Sequence, residues 1–156
     1  MSFKLNEDVL YLIFKELQDD EKSLYSCLLV NKTWCETAVP ILWRNPWKCL
    51  EGWRGQKKEE ALLNVIISYL SDESKNKLRM TNSYRKPLFD YISFCKHLNL
   101  KMIRVIEYEC FDIKMVKDEI VDLFINRNIK FTHLYLTDYS YYNKIYLSNP
   151  GAISEI

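Results

Sequence analysis

The residue types that carry most enzyme chemistry are sparse in this chain, and none of them falls in a catalytic spacing. His97 and His133 are the only histidines, and neither lies near a Ser, Cys or carboxylate in a pattern typical of a nucleophilic triad or a metal site. The chain has only three glycines and no glycine-rich phosphate loop. These residues predict a protein that is not an enzyme and that binds no cofactor.

The cysteines predict neither a disulfide framework nor a metal site. There are five of them, an odd number, and no two form a C-x-x-C pair. A nucleophilic role for Cys27 would require a basic neighbour that lowers the pKa of its thiol, and its sequence surroundings are apolar. We therefore interpret all five as small buried apolar residues, at Cys27, Cys35, Cys49, Cys95 and Cys110.

Composition and charge exclude other classes of partner. Of the 156 residues 48% are hydrophobic, which is enough for a packed core, and 22 basic residues nearly balance 21 acidic ones. A balanced charge does not predict binding to nucleic acid or to an anionic membrane. No apolar run approaches the ~18 residues of a membrane span, and the first residues do not resemble a signal peptide. We expect a soluble protein of the cytoplasm, the nucleus or both.

Apolar residues at helical spacing predict three short helices in the first forty or so residues. The first helix runs from Leu5 to Leu17, with Asn6 as its N-cap. The second has Leu24, Cys27, Leu28 and Val30 on its inner side, and a turn follows at Asn31. The third begins at Lys32, and Pro40 is expected to end or kink it.

The remaining residues predict further helices and one short strand-like segment. Gly52 and Gly55 indicate a linker. Apolar stripes then predict four segments, at Lys57–Leu70, Asp72–Met80, from Pro87 through Leu98, and Asp112–Asn126. The exception is Ile129–Tyr139, where Phe131, Leu134 and Leu136 favour a β-strand. The fold class predicted is therefore mainly α.

One ordered string near the N-terminus resembles the F-box family across the whole length of that module. It consists of Leu5-Asn-Glu-Asp-Val-Leu-Tyr-Leu-Ile-Phe-Lys-Glu-Leu17, then Leu24, then Cys27-Leu-Leu-Val-Asn-Lys-Thr-Trp34, then Pro40-Ile-Leu-Trp43. The resemblance covers residues 5 to about 47 and departs from the family at one point. Asn6 replaces the proline that usually follows the first leucine, and because an asparagine can cap the helix, we expect this to weaken docking only modestly.

The resemblance implies a non-catalytic adaptor that docks onto a Skp-type adaptor protein and, through it, a cullin. Such a protein would recruit a substrate for ubiquitination, although no residue indicates which substrate. The family's partner-binding positions correspond here to Leu5, Asn6, Leu10, Ile13, Phe14, Leu28 and Trp34. Periodicity does not separate the residues that face the partner from those in the module's own core.

Residues 129–156 have a partial match to a second pattern. Phe131-x-x-Leu134-x-Leu136 fits the strand of a leucine-rich repeat, but Tyr139 stands where Asn or Cys is expected. The predicted organisation is an F-box at 1–48, a linker at 49–56, a helical region at 57–128 and a partial leucine-rich-repeat-like segment at 129–156.

Three alternatives remain open at this stage. An F-box protein could bind its adaptor without a cullin and act outside a ligase. Three short helices could also form a helix-turn-helix that enters DNA, but seven acidic against five basic residues in 1–44 would repel phosphate. Finally, the aromatic clusters could serve either as partner surfaces or as core, at Trp34, Trp43, Trp47 and Trp53 and at Tyr135, Tyr139, Tyr141, Tyr142 and Tyr146.

Overall fold

A computed structural model of the chain describes residues 6–50, 56–80, 87–103, 113–136, 145 and 148. The fold is mainly helical, with a small two-stranded sheet, as the sequence predicts. In chain order the elements are α1 (Glu7–Glu16), α2 (Glu21–Cys27), α3 (Lys32–Leu42), a 3₁₀ helix (Lys48–Leu50), α4 (Gln56–Ser68), α5 (Asp72–Lys77), α6 (Tyr91–Phe94), β1 (His97–Asn99), α7 (Ile113–Asn126) and β2 (His133–Tyr135).

The first three helices form a unit with its own small core. Each begins at a polar side chain that accepts a hydrogen bond from a backbone N–H of the first turn: Asn6 for α1, Asp20 for α2 and Asn31 for α3. The predicted cap at Asn6 is thereby confirmed. The core of this unit is small and consists of Leu10, Phe14, Leu24, Cys27 and Ala38.

Two details of this unit differ from the prediction. Val30 is 55% exposed because α2 ends at Cys27, so Val30 lies in the following turn and not on the helix's inner side. Pro40 lies inside α3, which continues to Leu42. A proline removes only one backbone donor, and the Trp43 N–H still donates to the Val39 carbonyl at 2.9 Å, so the last turn closes despite Pro40.

A second, larger core lies among α4, the sheet and α7. The apolar stripe predicted on α4 is buried as expected, at Leu62, Leu63, Ile66, Ile67 and Leu70. Helix α7 contributes Ile120, Val121 and Phe124, and the Phe124 ring meets the Phe131 ring at 5.4 Å in an edge-to-face contact. The strongly periodic segments therefore form the helices that their patterns predict.

The helix predicted from Pro87 through Leu98 is wrong over most of its length. Only Tyr91–Phe94 is helical, and Leu98 lies in strand β1. Leu88 is 89% exposed, so it is not part of a buried stripe. Residues 92, 95 and 98 satisfy a helical spacing of three, but Cys95 has extended backbone angles, and the pairing of β1 with β2 determines the conformation that follows.

The two strands pair in parallel, so a crossover connects them and α7 lies within it. Asn128 ends α7 in a left-handed conformation with φ of 53°, which asparagine tolerates better than most residues. In the sheet His97 is paired with His133, Leu98 with Leu134 and Asn99 with Tyr135. The strand-like segment predicted at Ile129–Tyr139 is thus confirmed as β2 in its central residues.

The pairing reveals an internal repeat. Cys95-Lys-His-Leu-Asn-Leu100 and Phe131-Thr-His-Leu-Tyr-Leu136 share the same apolar pattern, and the sheet pairs the third, fourth and fifth residues of the two segments in that register. We refer to the two strands with these flanking residues as the first and second repeat. The first was missed in the sequence because Cys95 replaces the large apolar residue of the pattern.

The end of the three-helix unit is anchored in the larger core. Trp47 is 2% exposed and Leu50 is also buried there, and the Trp43 ring stacks on Tyr91 at 4.3 Å. For these two tryptophans the core alternative holds, whereas Trp53 and Tyr139, Tyr141, Tyr142 and Tyr146 lie outside the described residues. Residues 51–55 of the predicted linker also lie outside them, and the predicted domain division stays a prediction.

Candidate protein-docking surface

Helix α1 presents apolar residues on two faces, and only one of them is used by the protein's own core. Leu10 and Phe14, one turn apart, are each 1% exposed. The Phe14 ring meets Trp34 of α3 edge-to-face at a centroid distance of 5.3 Å. This contact joins α1 to α3 and fixes how the other face of α1 is presented.

The second apolar face of α1 is exposed. Val9, Leu12 and Ile13 have 46%, 59% and 45% of their surface accessible, and we call these three residues the α1 apolar face. Val9 and Ile13 are one turn apart, so they lie beside each other on the helix. An exposed aliphatic row of this kind is typical of a helix that packs against a partner.

A second exposed apolar site lies in the turn between α2 and α3. Leu29 is 88% exposed and Val30 55%. The turn is held by successive backbone hydrogen bonds, from Leu29 N to the Ser26 carbonyl at 3.2 Å and from Val30 N to the Cys27 carbonyl at 3.3 Å. We call the α1 apolar face together with Leu29 and Val30 the docking surface.

The distribution of exposed apolar residues along the chain is uneven. Ten large apolar or aromatic side chains are exposed among the described residues, and seven of these lie between residues 9 and 30. The seven are Val9, Tyr11, Leu12, Ile13, Tyr25, Leu29 and Val30. A three-helix unit whose core has five buried members thus exposes more large apolar side chains than it buries, which indicates a binding role for its surface.

The seven residues predicted to bind the partner do not all lie on this surface. Among the six of them that the structure describes, only Ile13 has an exposed apolar side chain. Asn6 is exposed and caps α1, and Leu28 and Trp34 are half-buried against the small core. Leu10 and Phe14 are buried within it, and Leu5 lies outside the described residues. As far as they are described, Leu10, Phe14 and Trp34 therefore support the surface from below.

Sequence reasoning missed Val9, Leu12, Leu29 and Val30 as candidates for contact. The sequence places Val9, Leu10, Ile13, Phe14 and Leu17 in one apolar stripe of the first helix, and this stripe is wider than a seam that faces a single neighbouring helix. The width of the stripe was the sequence feature that could have indicated a second, exposed face. The sequence contained no comparable feature for Leu29, because its exposure depends on α2 ending two residues earlier.

Two ionisable side chains of this unit, Cys27 and Tyr25, have raised pKa values. Burial raises the pKa of the Cys27 thiol, which keeps it protonated and unreactive at neutral pH. Burial, with smaller effects from Cys49 and Glu21, raises the pKa of Tyr25 to about 12, so its phenol is neutral. The chemistry open to these side chains is non-covalent contact.

A cleft of about 270 Å³ lies where the three-helix unit meets the sheet. Both acidic and basic side chains line the cleft, and the Lys48 ammonium lies 2.7 Å from the Asp19 carboxylate. His97 also lines the cleft, and its ring stacks on His133 at 4.1 Å. Desolvation, with smaller electrostatic effects of His133 and Arg44, lowers the pKa of His97 to about 4, so the His97 ring is neutral at physiological pH.

The structure gives two further findings on ligands and membranes. Within the described ranges, no three His, Cys, Asp or Glu side chains come together in a way that could hold a metal ion. Among those same residues, no helix has both the length and the apolar character that a membrane crossing requires.

Comparisons with known proteins identify one region. Residues 7–48 match the family model described as F-box-like, a span that contains α1, α2, α3 and the docking surface. No curated protein matches the chain. No solved structure matches it either.

Proposed function

Residues 7–48 form an F-box-like domain, and from that premise we propose that this chain is a non-catalytic subunit that docks onto a Skp-type adaptor protein through its docking surface. The observation that carries the proposal is the concentration of exposed apolar side chains in this domain. The partner covers Val9, Leu12 and Ile13 of α1 and Leu29 and Val30 of the following turn.

The energetics of this contact favour the turn as an anchor. Fully burying a leucine that was exposed contributes roughly 1.5–3 kcal/mol, and Leu29, at 88% exposure, has nearly its whole surface left to bury. Val9 and Ile13 are already about half covered, so each contributes less. Leu12 and Leu29 are therefore the side chains whose loss should weaken docking most.

The test compares two leucines of equal exposure. Leu29→Asp should weaken binding of the purified Skp-type adaptor by at least about tenfold, because a tenfold change corresponds to 1.4 kcal/mol and a charge would enter an apolar contact. Leu88→Asp is the matched control, since Leu88 is 89% exposed but lies outside the F-box-like domain. Isothermal titration calorimetry on the full chain measures both, with Leu12→Asp as a second test variant.

Equal affinity of wild type, Leu29→Asp and Leu12→Asp for the adaptor would contradict the proposal. Thermal unfolding of each variant is the control, because a lower affinity counts only for a variant that is still folded. A double substitution of Ile13 and Phe14 by alanine is a poor test, since Phe14 belongs to the small core and its loss would destabilise the domain itself.

We further propose that the docked chain joins a cullin-based ubiquitin ligase and recruits a protein substrate for ubiquitination. This rests on the usual role of F-box domains as ligase adaptors. The alternative is a stable complex with the adaptor alone. Purification of the tagged chain from its native cells distinguishes them: a cullin recovered with wild type but not with Leu29→Asp supports the ligase, and adaptor without cullin supports the alternative.

A further inference from the structure

The two repeats are alike in sequence but are not equally covered. Their first apolar residues, Cys95 and Phe131, are each 1% exposed. The leucines that follow differ: Leu98 and Leu100 in the first repeat are 0% exposed, whereas Leu134 and Leu136 in the second are only half-buried. The second repeat thus has apolar surface that its counterpart in the first repeat has already buried.

One side of the β2 backbone also has no hydrogen-bond partner in the described ranges. Its hydrogen bonds to β1 use alternate residues, from His133 N to the Lys96 carbonyl at 3.2 Å and from Leu100 N to the Tyr135 carbonyl at 2.9 Å. Because successive residues of a strand point their N–H and C=O groups to opposite sides, those of Leu134 face away from β1. Among the described residues, no hydrogen bond reaches this outer side of β2.

The other edge of the sheet is covered. The Trp47 indole N–H donates to the His97 carbonyl at 2.7 Å, and Lys96 N donates to the Arg44 carbonyl at 2.9 Å. The first bond occupies the outer side of β1 at His97, and the second holds Lys96, the residue just before the strand. Within the part of the chain that the structure describes, β2 is therefore the edge at which the sheet can be extended.

We propose that the outer edge of β2 binds an extended segment in parallel, and that this segment has the pattern of the repeats themselves: an apolar residue followed by leucines three and five places later. Its backbone pairs with Leu134, and its apolar side chains cover Leu134 and Leu136 as the second repeat covers Leu98 and Leu100. The proposal goes beyond adaptor docking and does not depend on it.

A second copy of this chain is a poorer occupant. To repeat the β1–β2 geometry, the copy would have to offer the outer edge of its own β1, which Trp47 and Arg44 cover. Two β2 edges related by a two-fold axis would run antiparallel and would not align the leucines as the observed pairing does. A segment with the repeat pattern satisfies both the backbone and the apolar surface.

The probe is a fluorescent peptide with the sequence of residues 129–138, Ile-Lys-Phe-Thr-His-Leu-Tyr-Leu-Thr-Asp, titrated against the full chain. The matched control peptide has aspartate at both leucine positions. We expect saturable binding of the first peptide only. Amide hydrogen exchange at Leu134 should slow by at least about tenfold at saturation, since its N–H then donates to the peptide. A nitroxide at the peptide's N-terminus should broaden signals near Phe131 more than near Leu136.

Four results would overturn the proposal. They are no binding, equal binding of the aspartate peptide, binding that leaves exchange at Leu134 unchanged, and broadening strongest near Leu136, which would mean an antiparallel segment. Because the adaptor is absent from this experiment, its outcome is independent of the outcome at the docking surface.

Discussion

Ile13 and Phe14 are adjacent in sequence, yet one is 45% exposed and the other 1%. The difference arises from their positions on α1, which places Phe14 against Trp34 and Ile13 beside Val9 on the outer face. The residues of this domain therefore fall into two groups: buried residues that stabilise its fold, and exposed residues that are available to a partner. Stability and binding should respond to different substitutions.

Phe14→Ala should lower the free energy of unfolding by about 3–5 kcal/mol, because it leaves a cavity in the small core. Ile13→Ala should lower it by less than about 1 kcal/mol, since the side chain is already half in water. Urea denaturation of both variants measures the two values. Similar decreases in the free energy of unfolding for the two substitutions would contradict the division of α1 into a buried face and an exposed face.

His97 couples the stability of the chain to pH. Its pKa in the folded state is about 4, below the ordinary 6.5, so the unfolded state binds the proton more readily. The contribution of His97 to stability is therefore complete above pH 6.5 and is lost as pH falls from 6.5 towards 4. The Nδ1 atom of this ring is buried without a hydrogen-bond partner among the described residues, which agrees with a neutral ring.

We expect the Tm of the wild type to fall more between pH 7.5 and pH 5 than that of His97→Asn. In a chain of this size each kcal/mol shifts the Tm by roughly 2–4 °C, and scanning calorimetry at several pH values resolves such a difference. Carboxylates also titrate towards pH 5, and the comparison with the variant removes their contribution. Parallel curves for the two proteins would mean that His97 is not the group responsible.

At the scale of elements, the spacing of apolar residues predicted the long helices well. It failed where the same residues fit both a helical spacing and the strand pattern of a repeat. Leu62, Leu63, Ile66 and Ile67 repeat at helical spacing and are buried on α4 as expected. Residues 92, 95 and 98 also have helical spacing, but Cys95 and Leu98 belong to the first repeat. Only comparison with Phe131 and Leu134 reveals this, and long-range strand pairing decides the structure there.

The candidate site was predictable to a similar extent. The order of residues placed the domain in the first fifty positions, since capping residues and buried leucines are local features. The exposure of individual side chains could not be predicted in this way, because it depends on residues that are distant in sequence. Leu29 is exposed because α2 stops at Cys27, and Leu10 is buried because α3 lies against α1. Both facts depend on helix packing that no single stripe encodes.

The caps that define these helices can be tested directly. The Asn31 side chain accepts a hydrogen bond from Trp34 N at 3.0 Å and sets where α3 begins. Asn31→Ala should lower the free energy of unfolding by about 1 kcal/mol, whereas Asn31→Ser should retain most of it because serine also caps. Denaturant titration measures the free energy of unfolding of both variants. An equal decrease for Asn31→Ser and Asn31→Ala would mean that the effect does not come from the cap.

At the scale of the whole molecule, the two cores are joined by one short stretch of chain. Trp43 and Trp47 follow the end of α3 and pack into the larger core. The Trp47 indole also donates to His97 in β1, and the Arg44 carbonyl accepts from Lys96, the residue before β1. The joint therefore includes stacking, burial and two hydrogen bonds. Such a connection predicts that the cores unfold together.

Trp47→Ala should lower the stability of the chain by about 3–5 kcal/mol and should also separate the unfolding of the two cores. Hydrogen exchange measures this as faster exchange in β1 with little change in α1. Trp47→Phe is the milder control, since it keeps an aromatic ring but removes the indole donor. A uniform rise of exchange in both cores for Trp47→Ala would show that they behave as one unit.

The covered edge of β1 also has a consequence for geometry. Because Arg44 and Trp47 fasten the sheet to the end of α3, a molecule bound at β2 would lie at a fixed distance and in a fixed direction from Leu12 on α1 and from Leu29 in the turn after α2. If the docking surface is held in a ligase as proposed, ubiquitin would reach the bound molecule from one direction. Lysines of the held molecule would then be chosen by their position in space and not by the sequence around them.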